Sequence, residues 1–175
     1  MYTDNALYQM QFIGPPFTFG FKQLGSNCGA VGINSAIDVS GISFWMGNDS
    51  FFQFDGAVKK IACSVQDYVF DDINTNALGD VFCASNTDFN EVIWFYPSKN
   101  SLQIDRHVTY NYAEKIWYIG TLARSSWADR GVYANPYAAE FDSDDTTTTI
   151  STINGVKEGR TFKKIYKTLQ NLNYT

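Results

Sequence analysis

Between Ile33 and Ile61 the chain runs as short apolar-polar stretches, each closed by a turn signal. Ile33-Asn34-Ser35-Ala36-Ile37-Asp38-Val39 alternates, Ser40-Gly41 makes a two-residue turn, and Ile42-Ser43-Phe44-Trp45-Met46 returns. Gly47-Asn48-Asp49 turns again before Ser50-Phe51-Phe52-Gln53-Phe54. Asp55-Gly56 then leads into Ala57-Val58-Lys59-Lys60-Ile61. Side chains of a strand alternate faces, so this pattern predicts four strands in an antiparallel meander. Asp-Gly between apolar runs favours positive φ at both positions, which predicts a type I′ turn at Asp55-Gly56.

One helix is expected next. Ser64 stands at an N-cap position with Asp67 three residues on, the spacing of a capping box. Val65, Tyr68, Val69 and Ile73 share a face at helical spacing, and Asp71-Asp72 disfavours the C-terminal end of the dipole. The predicted helix is therefore short, about residues 65–72. A second meander follows over about 81–122. Its strands are Val81–Ser85, Glu91–Tyr96, Ile104–Tyr112 and Ile116–Leu122, separated by loops at 86–90, 97–101 and 113–115. The two units lie roughly 45–50 residues apart, the period of four-stranded propeller blades. Ala6–Phe12, followed by Gly14-Pro15-Pro16, reads as part of the last hairpin of a preceding blade. The fold class expected is all-β: antiparallel four-stranded meander sheets as blades of a partial β-propeller. About two and a half blades fit into the chain, fewer than the four or so needed for closure. Residues 161–175 form a basic tail in which Ile165, Leu169 and Leu172 would share one face of a helix.

Composition narrows the function. With 14 Phe, 11 Tyr and 4 Trp, the chain carries too much apolar surface to remain disordered. The net charge of −5 divides into +4 over the last nineteen residues and −9 over the rest, so the body lacks the basic stripe of a nucleic-acid binder. No apolar stretch nears the roughly 18 residues that cross a bilayer, so no membrane partner is expected. Met1-Tyr2-Thr3-Asp4-Asn5 lacks the basic start of a signal peptide, and the sequons at Asn48 and Asn173 read as chance.

Candidate chemistry is sparse. Cys28, Cys63 and Cys83 have no CxxC spacing and read as buried reduced thiols; one histidine and three scattered cysteines make a poor zinc site. His107 lies in an alternating strand beside Arg106, whose charge would disfavour the imidazolium, and no GxSxG motif accompanies it. Asp88, Glu91 and Asp105 are available carboxylates, but nothing selects a pair across a sugar. The aromatics fit core and cross-strand pairs better than a sugar platform. Asp142-Ser143-Asp144-Asp145 lacks the glycine and glutamate of a calcium loop and reads, with Thr146–Thr149, as a solvated loop. Gly25-Ser26-Asn27-Cys28-Gly29 has no GK[ST] continuation for phosphate. No catalytic residue, cofactor or metal is expected.

Three segments nonetheless resemble one family. The first is Cys28-Gly29-Ala30-Val31-Gly32 with Phe44-Trp45-Met46-Gly47 and Phe52–Val58. The second is Val69-Phe70-Asp71-Asp72-Ile73-Asn74. The third and most specific runs Phe89-Asn90-Glu91-Val92-Ile93-Trp94-Phe95-Tyr96-Pro97-Ser98, then Ile104-Asp105-Arg106, Tyr110-Asn111-Tyr112, Trp117 and Gly120–Arg124. Over about residues 3–160 the chain resembles the tail nozzle, or packaged-DNA stabilisation (tail tubular), proteins of short-tailed double-stranded DNA bacteriophages. The motif residues are Trp94, Phe95, Pro97, Asp105, Arg106, Tyr110, Asn111, Tyr112 and Trp117.

The resemblance implies a non-enzymatic virion protein, made in the bacterial host cytoplasm, with a propeller-like domain over 1–160. Its implied partners are copies of itself in a ring, the portal, adaptor and other tail proteins, and packaged DNA in non-specific proximity. Family members look several times longer, and after Gly159-Arg160-Thr161 their pattern continues into an aromatic strand that Phe162–Gln170 replaces here. A truncated or frameshifted reading frame would explain both ends. Phosphate contacts hold DNA, so a wall that lets the genome slide should not be basic. Two other readings stay open: a carbohydrate-binding or glycan-cleaving propeller, and a non-functional gene fragment that aggregates through exposed sheet edges.

Overall fold

The computed structural model describes residues 1–131, 135–141, 148–152 and 160–161. The fold is all-β, made of antiparallel sheets. A hairpin of β1 (Ala6–Phe12) and β2 (Phe19–Ser26) comes first. The first four-stranded sheet follows: β3 (Ala36–Val39), β4 (Ile42–Met46), β5 (Phe51–Phe54) and β6 (Val58–Ile61). Helix α1 (Gln66–Asp72) and a 3-10 segment at Thr75–Asp80 lead to the second sheet. That sheet holds β7 (Phe82–Asn86), β8 (Glu91–Tyr96), β9 (Arg106–Asn111) and β10 (Ile116–Thr121). The third holds β11 (Ser126–Ala128), β12 (Tyr137–Phe141), β13 (Thr148–Thr152) and β14 (Arg160–Thr161). In every four-stranded sheet the spatial order is the chain order. The first strands begin at Ala36, Phe82 and Ser126, a repeat of about 45 residues.

The third sheet corrects the expectation of two and a half units and of a loop at Thr146–Thr149. Thr148 and Thr149 open β13. Threonine is β-branched and suits a pleated surface, so its polarity hid a strand. Residues 142–145 and 162–175, with the calcium-loop comparison and the C-terminal helix, lie outside the described residues.

Three local expectations also shift. The type I′ turn is at Ser40-Gly41, where φ is 55° and 80°, and Val39 pairs directly with Ile42. Asp38 supports it by accepting hydrogen bonds from the Gly41 amide (3.2 Å) and the Ser43 hydroxyl (3.2 Å). At Asp55-Gly56 only Gly56 has positive φ, and Phe54 pairs with Val58 across a three-residue loop. Helix α1 has the expected length but no capping box: its N-cap is Val65, with no side-chain hydrogen bond. Tyr112 leaves the strand, which ends at Asn111.

The sheets stack as layers, and the sequence of β8 shows why. Val92-Ile93-Trp94-Phe95-Tyr96 is buried at every position. A strand buried on both faces needs a layer on each side. Toward the first sheet, Trp94 stacks on Trp117 (5.9 Å between centroids) and meets Phe51 (4.8 Å) in a core with Phe44, Met46 and Tyr110. Toward the third sheet, Phe95 packs with Phe82 (4.8 Å) and Trp127 (5.7 Å) beside Ala84 and Ile93. The first sheet is likewise two-sided. Phe44, Met46 and Phe51 enter the shared core, while Trp45 and Phe52 face Leu7 and Cys28 at the base of the hairpin. The order of layers is hairpin, first sheet, second sheet, third sheet.

Candidate functional site

The first strands of the three sheets lie side by side, β3 against β7 and β7 against β11. The Cys83 amide donates to the Asn34 carbonyl (2.8 Å), in a parallel bridge between Asn34 and Phe82. On the other flank, Trp127 Nε1 donates to the Ser85 carbonyl (2.8 Å), and Asp129 accepts from Ser85 Oγ (2.8 Å) and the Thr87 amide (3.1 Å). These bonds join β11 to the end of β7.

A groove of about 830 Å³ opens along this line of strands. Ile33, Phe82, Leu102, Ile104 and Trp127 supply its apolar surface; Asp80 and Arg124 are its charged groups. Ile33 and Leu102 stand almost clear of the surface, at 93% and 76% exposed. The groove carries one charge of each sign, so it presents no basic stripe. It was not legible from motifs, because its residues come from four separate stretches between Ile33 and Trp127.

The motif residues lie elsewhere, in the body of the second sheet. Trp94 Nε1 donates to the Ser35 carbonyl (3.0 Å), and Trp117 Nε1 to the Ala62 carbonyl (2.9 Å). Tyr110 stacks on Trp117 at 4.5 Å, and Tyr112 on Phe44 at 5.8 Å. Phe95 faces the third sheet. Asn111 organises the hairpin after β9: its Oδ1 accepts from the Ala113 (3.1 Å) and Glu114 (2.9 Å) amides, and its Nδ2 donates to the Phe89 carbonyl (3.0 Å). Asp105 accepts from the Ser98 amide and hydroxyl, both at 2.7 Å. The Pro97 carbonyl accepts from the Asn74 amide (3.0 Å). Arg106 pairs with Asp72 of α1 at 3.3 Å, which ties the helix to the sheet. Burial, with Asp72 nearby, pushes the Tyr96 hydroxyl well above its ordinary range. The motif is a packing and tethering set.

Ser35, Asp129 and Trp127 are structural residues that sequence reasoning missed. Ser35 is fully buried and its hydroxyl donates to the Gly32 carbonyl (2.8 Å). A lone serine in an alternating strand carries no local sign of that role.

The other candidates have structural partners. Asp88 pairs with Arg130 (2.8 Å). Glu91 accepts from Asn86 Nδ2 (3.0 Å) and from the Tyr118 hydroxyl; burial raises its carboxyl pKa, opposed by the Asn86 bond. His107 Nδ1 lies 3.1 Å from Thr109 Oγ1, and its ring meets Phe95. Its pKa is lowered by burial rather than by the charge of Arg106, which corrects the expected cause. Gly120 makes room for the ring, since a Cβ there would meet His107 Nε2 at 2.5 Å. All three cysteines are free thiols; burial lifts Cys63 to about 11 and Cys83 well above the ordinary thiol range. Among the described residues no group of three or more His, Cys, Asp or Glu side chains could hold a metal ion. No described helix is long and apolar enough to cross a membrane.

No family model matches the chain, and no curated protein is detectably similar to it.

Proposed function

We propose that the chain is a non-enzymatic structural protein of a phage tail nozzle, retaining packaged DNA and forming part of its exit channel. The stacked sheets are consecutive blades of a β-propeller in this reading. The observation that carries it is the convergence of β3, β7 and β11 on one line while the sheets cover one another's faces. Radial repetition of four-stranded meanders produces that arrangement, with first strands innermost. The aromatics that could stack a sugar, Trp94, Tyr110 and Trp117, are engaged with one another. Copies of the chain in a ring, with the portal, adaptor and other tail proteins, are its proposed partners.

The test is electron microscopy of virions carrying the labelled protein. Density in the tail below the portal supports the reading; label absent from the particle overturns it. Glycan-array binding or reducing-sugar release by the purified chain would favour the carbohydrate reading instead.

A further inference from the structure

The N-terminal hairpin is covered only at its base. Leu7 is buried with Cys28 and Trp45, and Leu24 packs on the same cluster. Beyond that base the hairpin projects as an arm. Met10 pairs with Phe21, and Phe12 with Phe19, so these four side chains share one face of the ribbon. Gln9 pairs with Lys22, and Gln11 with Gly20, on the opposite face. Phe12, Phe17 and Phe21 are 66%, 70% and 62% exposed, and Met10, Ile13 and Phe19 about half. At about 200 Å² per large side chain, the four on the shared face expose on the order of 450 Å². That matches the largest contiguous apolar patch of an ordinary monomer, the kind that commonly serves as a contact site. A two-stranded ribbon is marginal in water unless its apolar face is packed.

The same chain carries a concave counterpart. The groove along the first strands is rimmed by Ile33 and Leu102 and floored by Phe82, Ile104 and Trp127. One apolar protrusion and one apolar groove, on different parts of the surface, are the two halves of a head-to-tail contact. Charge favours the same partner. Lys22 is the only charged residue from Ala6 to Asn27, so the arm approaches a second copy of this acidic protein without adding carboxylate repulsion.

We infer that the arm of one copy, through Met10, Phe12, Phe19 and Phe21, docks into the groove of a second copy between Ile33 and Leu102. A head-to-tail contact is what a ring requires, but this one is a property of the chain in solution and does not depend on the tail reading.

Sedimentation velocity over a concentration series tests it, using the full chain and two double variants. Phe12→Asp with Phe21→Asp disables the arm, and Ile33→Asp with Leu102→Asp disables the groove. All four positions are largely exposed, so both variants should keep the wild-type circular dichroism and unfolding curve. The wild type should self-associate and each variant should be monomeric. An equimolar mixture should form a one-to-one heterodimer, since one arm and one groove remain intact. A monomeric wild type overturns the proposal. So does a groove variant that still self-associates, which would mean arm-to-arm packing, or a mixture that stays monomeric. Virion localisation reads a different quantity, so the two proposals fail separately.

Discussion

Strand β8 and the N-terminal arm both concentrate large apolar side chains, and the period of those residues separates their fates. In β8 they are contiguous, Val92 through Tyr96, and both faces are buried. In the arm they alternate, Met10 and Phe12 against Phe19 and Phe21, and one face is left apolar and uncovered. A contiguous run demands a layer on each side; an alternating run demands one. For β8 the layers are the first and third sheets. For the outer arm no such layer exists within the described residues.

The comparison breaks most sharply at β8. Trp94→Ala should cost about 3–5 kcal/mol, and Phe95→Ala a similar amount, because each removes a buried ring from a different interlayer core. Urea unfolding measures both. A near-neutral Phe95→Ala would mean that the third sheet does not cover that face.

Polar tethering comes next in size. Asp105→Ala should cost about 1–3 kcal/mol in the same assay, since it leaves the Ser98 amide and hydroxyl without their acceptor. No loss of stability would remove Asp105 from the set that fixes the 97–105 loop.

A smaller effect concerns His107. Burial lowers its folded pKa, so the folded chain prefers the neutral ring. That contribution is fully present above the ordinary value of 6.5 and is lost as pH falls from there through the lower folded value. His107→Asn should flatten the stability difference between roughly pH 7.5 and pH 5.5. A slope unchanged by the substitution would assign it to other groups.

The arm should give the smallest change. Phe21→Ser should alter the unfolding free energy of the monomer by less than about 0.5 kcal/mol, because the side chain is mostly exposed. A cost above 2 kcal/mol would show that the arm packs within its own chain.

Much of the fold was legible because its determinants are local. Strands β4 and β8 run over the residues predicted, and turn residues separate the strands of both first meanders. The third sheet was not legible: Ser126–Ala128 is three residues long, and the threonines of β13 look polar while preferring strand geometry. Ser64 and Asp67 have the residue types of a capping box, yet Val65 takes the cap position, so spacing alone did not settle the backbone there. Trp94 and Phe95 stood out as motif residues, but that they face opposite layers follows only once neighbouring sheets are in place. The groove is longer-range still, since chain order says nothing of the line on which β3, β7 and β11 meet.

Amide hydrogen exchange compares the two regions directly, with the wild type at high concentration and the Phe12→Asp, Phe21→Asp variant as monomer. The amides of β8 and β9 should exchange slowest in both samples. Those of residues 9–22 should exchange fast in the monomer and become protected in the wild type. Equal protection of the arm in both samples, or a β8 that exchanges as fast as the arm, would contradict an account in which layers of the same chain cover one region and a second copy covers the other.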